Sequence, residues 1–274
     1  MRHVAPVNIA GLPTLADIEA SLKPTYKAEI ANAITPIENA YERFDAAKPD
    51  GLHTLDPIGL SLNARRALET VFSRRLGTFG AVMDAINDHF ADTGNSTCPY
   101  CNFGEQWEQD HYLPKSAFPE FTLYAANLVP ICKVCNGKKR ARYQADGERL
   151  FLYAFSELNG VTGLLNVDVA YEPAINVSYS LADTGELENY AVLDRHFQAL
   201  DLGRRYSRQA SSTLARLVRT FRTPVSLGLG RRQLQRRIEQ MAEDRAAQSP
   251  PNHWEFALLD HLASSADFVA YIFN

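Results

Sequence analysis

Apolar residues recur every three or four positions through roughly the first ninety residues of the chain. In "SLNARRALETVFSRR", Ala64, Ala67, Leu68, Val71 and Phe72 fall on one face of a helix with about 3.6 residues per turn. "FGAVMDAINDHFADTG" repeats that period as far as Gly94, and Thr14 stands where an N-cap is needed ahead of "LADIEASL". Pro24 and Pro36 start or break further helical segments, and "AAKPDGLHTLDPIG" has the Pro, Gly and Asp of a connector. Farther along, the period falls to two. "GLLNVDVAYE" and "AINVSYSLAD" alternate β-branched with polar residues, and "TGELENYAVLD" follows them as a third expected strand of a small antiparallel sheet. From about Leu202 the helical period returns and persists to the end, with breaks at Pro224 and at "SPPN".

Composition adds limits to this pattern. With 46% hydrophobic and 22% charged residues in 274, the chain can bury a sizeable core. It has no run of about 18 apolar residues, and its first twenty lack the apolar stretch of a secretory signal, so no membrane partner and a cytoplasmic location are expected. There is no internal repeat and no phosphate-binding loop of the kind an ATP-driven motor needs.

Net charge does not announce a nucleic-acid partner, since 28 Lys and Arg face 32 Asp and Glu. The distribution does. Between Leu202 and Ile238 there are ten arginines and no acidic residue. On a helix, Arg204, Arg205, Arg208, Arg216, Arg219 and Arg222 share an arc of about 120°, opposite Tyr206, Ala210, Leu214, Leu217 and Phe221. Arg208, Arg216 and Arg219 are candidate contacts to a DNA backbone, against the plainer reading of a solvated face or one paired with acidic groups or a partner protein.

All four cysteines lie in "CPYCNFGEQWEQDHYLPKSAFPEFTLYAANLVPICKVCNGKKR". Cys98 and Cys101 form one C-x-x-C pair, and Cys132 and Cys135 form another after thirty intervening residues. That spacing suits tetrahedral Zn²⁺ held by four thiolates, a closed and therefore structural site, in a compartment that keeps thiols reduced. Between the pairs, "EQWEQDHYLP" and "NLVPIC" read as strands, "KVCNGKKRARY" as a short basic helix, and Trp107 as part of a small core.

The order C-x2-C, D-H-Y-L-P, N-L-V-P-x-C-x2-C-N-x2-K resembles the ββα-metal finger of the HNH (His-Me finger) endonucleases over residues 98 to 140. The resemblance implies His111 as general base, a role that suits an imidazole with an unperturbed pKa of about 6.5. It also implies Asp110, on the opposite side of the strand, and Asn136 as ligands of a catalytic divalent cation, with Asn127 bracing the loop. Many family members carry histidine where this chain has Asn136; the oxygen ligand favours Mg²⁺ or Mn²⁺ and leaves the choice between them open. The expected reaction is hydrolysis of DNA phosphodiesters to 5′-phosphate and 3′-hydroxyl ends. Lys115, Lys138, Lys139 and Arg140 stand beside the site as candidate phosphate contacts. More loosely, the same stretch is similar to nuclease subunits of bacterial anti-phage systems, which implies an ATPase partner protein. The alternative is a zinc module that binds nucleic acid or a protein partner without catalysis.

The expected fold is therefore α+β and mainly α, with a zinc-stapled finger at 94 to 145. It follows a helical region at 1 to 93 and precedes a small β region at 146 to 200 and an arginine-rich helical region at 201 to 274.

Overall fold

The computed structural model describes residues 1–92, 97–105, 108–182 and 187–274. The fold is mainly α-helical with small two-stranded sheets, as the periodicity predicts. Its contacts group the chain into two compact units. One comprises residues 3–100 and 104–159; the other comprises 1–2, 101–103 and 160–274.

The first unit holds α1 (Leu15–Ala20), α2 (Pro24–Ala31), α3 (Ile34–Ala47), α4 (Leu62–Arg74) and α5 (Phe79–Asp92), followed by the finger. The finger is β1 (Glu108–His111), β2 (Leu128–Ile131) and α6 (Lys133–Lys139). Thr14 caps α1 in a reciprocal capping box with Asp17, satisfying amides that the first turn would leave open. Ser61 caps α4 by accepting from the Ala64 amide at 3.1 Å, and Ala64, Ala67, Leu68 and Val71 form its buried stripe with Phe72 half-buried at the edge. Strands β1 and β2 pair antiparallel, Glu108 opposite Ile131 and His111 opposite Leu128. A further hairpin, β3 (Gln144–Ala145) and β4 (Glu148–Arg149), turns on Asp146 and Gly147, both at positive φ (53° and 79°), the backbone that a two-residue hairpin loop requires.

Strands of four residues bury little by themselves. Aromatic packing on α3 makes up the difference: the buried Phe44 ring meets Phe121 at 5.1 Å, Tyr124 at 5.4 Å and Tyr153 at 6.2 Å edge-on, while Tyr41 stacks on Tyr124 at 4.0 Å. Phe118, Phe121 and Tyr124, in the loop between the strands, are thus core residues. Trp107 lies outside the described residues.

The second unit contains β5 (Leu165–Ala170), β6 (Asn176–Leu181), α7 (Tyr190–Ala199), α8 (Leu202–Ser226), α9 (Arg231–Gln248), α10 (Trp254–Ser264) and α11 (Ala266–Phe273). Strands β5 and β6 form the expected antiparallel pair, with Val177 and Tyr179 buried and their neighbours exposed. The expected third strand is corrected. Of its stretch 184–194, residues 184–186 lie outside the description and the end is the first half of α7, because Val192, Leu193, His196 and Phe197 are buried at helical spacing, not alternating. Helix α8 approaches β6 closely at Gly203, where a Cβ would stand 2.9 Å from the Tyr179 carbonyl oxygen. Among the described residues, no single helix is long and apolar enough to cross a membrane.

Phe44→Ala should lower stability by about 3–5 kcal/mol, because it removes the ring shared by three aromatics. Urea unfolding would read this as a lower midpoint at unchanged slope. An unchanged midpoint would mean that α3 does not hold the finger's loop.

Candidate active site

Alternation along β1 sends Glu108 and Asp110 to one face and Gln109 and His111 to the other. The first face looks onto α6, where Asn136 and Lys139, three residues apart, share one side of the helix. Asn136 Nδ2 donates to Glu108 Oε2 at 2.6 Å. Lys139, whose side chain is fully buried, places Nζ 3.1 Å from both Asp110 oxygens and donates to the His111 carbonyl at 2.9 Å. The Tyr100 hydroxyl donates to Asp110 Oδ2 at 3.4 Å. Burial pushes the Asp110 carboxyl up to about 6, against the pull of the Lys139 ammonium and its hydrogen bonds, so the group is ionised at neutral pH.

On the other face, His111 is buried and its Nε2 lies 3.0 Å from the Thr122 carbonyl oxygen. A carbonyl only accepts, so Nε2 carries the proton and Nδ1 keeps a free lone pair. Burial pushes the His111 pKa down to about 4; the bond to Thr122 pulls it up, and Lys115 and Lys139 push it farther down. The ring is neutral at pH 7, with one basic nitrogen. Phe72 packs on it at a centroid distance of 4.5 Å, and Lys115 lies over the Phe72 ring at 5.1 Å while pairing with Glu69 at 3.2 Å.

Asn127 is fully buried and uses its amide on the loop. It accepts from the Leu113 amide at 2.8 Å and donates to the Leu113 and Phe121 carbonyls at 3.0 and 3.2 Å. The loop that presents His111 is therefore closed from inside.

Among the expected phosphate contacts, Lys139 is corrected: it is buried and committed to Asp110, so it does not face a phosphate. Arg140 is exposed at the end of α6 and Lys138 is half-buried there. The α8 arginines belong to the second unit. Arg208 and Arg219 are exposed, Arg216 lies 3.9 Å from Glu255, and Arg204 pairs with Asp201. Sequence reasoning passed over Glu108, which the two-residue period places beside Asp110. It also passed over Thr122, whose role is played by a backbone carbonyl that any residue offers.

The four cysteines are buried, and their sulfurs all lie within 4.8 Å of one another. Tetrahedral zinc with Zn–S of about 2.3 Å sets sulfurs about 3.8 Å apart, so the cluster fits that ion. Asn136 keeps Oδ1 for ligation once Nδ2 is given to Glu108, whereas both Asp110 oxygens face the Lys139 ammonium, so Asp110 could take a hard divalent cation only with that ammonium withdrawn.

Residues 98–142 match the HNH endonuclease family. They are an HNH endonuclease domain. Over a longer stretch, the chain is 22% identical across 245 residues to "Protein ea31" of Escherichia phage lambda, covering 80% of this chain and 79% of that one. Across 53 residues it is 38% identical to "Septu protein PtuB" of Bacillus thuringiensis, which covers 18% of this chain and 21% of that one. No solved structure matches at a comparable level of significance. The HNH domain accounts for the finger and its cysteines, and the helices α1 to α5 that complete its unit lie outside the matched residues.

Purified protein should carry about one zinc per chain by elemental analysis, and Cys132→Ser should lose both the metal and several degrees of melting temperature. Zinc-free wild type with an intact fold would refute the four-thiol site.

Proposed function

We propose that this chain is a metal-dependent endonuclease that hydrolyses DNA phosphodiesters, leaving 5′-phosphate and 3′-hydroxyl ends. The observation that carries the reading is His111: a buried, neutral imidazole inside an HNH domain, with its tautomer set by the Thr122 carbonyl and Nδ1 free to accept a proton. In this reading His111 Nδ1 takes the proton from the attacking water, and Asn127 keeps the loop from shifting as it does so. Asp110, Asn136 and Glu108 would hold Mg²⁺ or Mn²⁺, which when bound supplies neutralisation of charge on the phosphoryl oxygens. Lys115, Lys138 and Arg140 hold the flanking phosphates. On the second unit, Arg208 and Arg219 are exposed candidates for contact with a nucleic-acid backbone, with Arg216 contributing less because Glu255 stands near it.

The local identity to the Septu protein is in keeping with the looser resemblance to anti-phage nuclease subunits, and it is that resemblance that implies a defence role with an ATPase partner; the thiol cluster supports a reducing cytoplasm. A second reading draws on the ion pair Asp110–Lys139, which looks structural: the domain is a zinc module that binds nucleic acid or protein without cutting.

Plasmid nicking separates the two. Wild type should nick with Mg²⁺ or Mn²⁺ and stop in EDTA. His111→Ala should be inactive with zinc retained, and Asn136→Ala should lose divalent-dependent cutting while keeping zinc. Undiminished nicking by His111→Ala would sink the assignment of the base.

For the arginine track, Arg208→Gln with Arg219→Gln should weaken binding equally for unrelated duplexes. It should also make the salt dependence shallower by about one to two units, at about 0.9 per lost phosphate contact. An unchanged slope with an intact fold would assign the stripe to a protein surface instead.

A further inference from the structure

A general base must be held in tautomer and in rotation. The Thr122 carbonyl sets the first and ties down one edge of His111. Rotation about the bond joining ring to side chain is a broad, weakly preferred torsion, so one hydrogen bond leaves the direction of Nδ1 loosely defined. The second restraint comes from outside the matched domain. Phe72, on α4, lies 4.5 Å from the imidazole centroid with the planes at 56°. Phe72 is itself held: Ala64, Ala67, Leu68 and Val71 bury the adjacent face of α4, and the Phe79 ring lies 6.0 Å away. The same helix face meets Lys115 twice, through Glu69 at 3.2 Å and through the Phe72 ring at 5.1 Å.

We propose that Phe72 is the positioning residue for His111, its tilted ring fixing the imidazole so that Nδ1 points at the attacking water, and that α4 is thereby a working part of the nuclease site. The proposal rests on the nuclease reading above for its kinetic consequence, but not for its structural one. Helix α4 contributes more than scaffold: with Glu69 and Phe72 one turn apart, it sets both the base and the nearest lysine to the phosphate path. Leucine at this position keeps an apolar contact and removes the flat ring; tyrosine keeps the ring. Side-chain shape therefore separates positioning from mere packing.

The test uses the full chain with zinc content and melting temperature matched across variants. Phe72→Leu should lower kcat for plasmid nicking by about tenfold with KM within about twofold, and Phe72→Tyr should restore it. In parallel, the two ring ¹⁵N shifts of His111 should be well separated in wild type and in Phe72→Tyr. They should move toward each other in Phe72→Leu, as a loosened ring samples both tautomers. An unchanged kcat, a loss confined to KM, or ¹⁵N shifts unmoved by Phe72→Leu would overturn the positioning role. A wild type that does not nick, with ¹⁵N shifts that still depend on Phe72, would overturn the nuclease reading and uphold the positioning of His111.

Discussion

The finger is organised around a buried ammonium. Lys139, at the end of α6, bonds to both oxygens of Asp110 and to the carbonyl of His111, so one side chain ties the helix to the two consecutive residues of β1 that carry the site. A charge in such a place is tolerated only because every donor finds an acceptor, and removing either member of a buried pair typically costs about 3–5 kcal/mol. The pair therefore specifies geometry more than it adds stability. It sets the register of α6 on the hairpin, and that register brings Asn136 against Glu108. It also pins the β1 backbone at His111, whose side chain leaves on the opposite face.

Two kinds of support surround this anchor. The four buried cysteines fit a metal that fastens the ends of the finger, and the aromatic cluster on α3 fastens its middle through Phe121 and Tyr124. The polar interior of the loop is closed by Asn127, whose three hydrogen bonds to Leu113 and Phe121 satisfy groups that would otherwise be buried without partners. Burial has a chemical consequence as well. It holds the His111 pKa down at about 4, with Lys115 and Lys139 pushing the same way, so the ring is neutral at pH 7. An imidazole held this way is a weak base in free solution terms, fixed in position and in one tautomer by the Thr122 carbonyl.

The second unit carries a different kind of chemistry. Its longest helix buries Leu202, Tyr206, Ala210, Leu214, Leu217 and Phe221 and leaves its arginines on the far side. That stripe is not uniform. Asp201 answers Arg204, Glu255 stands between Arg216 and Arg245, and Tyr271 takes the Arg222 guanidinium on its ring. The exposed arginines at 208 and 219 stand out from these pairs as the ones best placed for an anion in solution. The similarity to the phage lambda protein runs over most of both chains, whereas the similarity to the Septu protein is confined to a short stretch.

Local patterns were enough to determine much of this. The helices α1, α4, α5 and α8, the strands β5 and β6, the zinc-type cysteine spacing and the Asp-His pair of the HNH domain are all short-range features, and short-range chemistry is written in adjacent letters. The third strand failed as an expectation because "ENYAVLD" carries β-type residues at a spacing that α7 buries as a helix, and a short apolar run does not declare its period. What only the tertiary structure decided is which polar group meets which. Lys139 turned inward to Asp110 instead of outward to phosphate, Glu108 joined Asn136, the Thr122 carbonyl selected the His111 tautomer, and Phe72 arrived from a helix outside the matched domain. Each of these depends on distances across elements far apart in the chain, and a residue's type states what it can bond to without stating which partner packing will bring within reach.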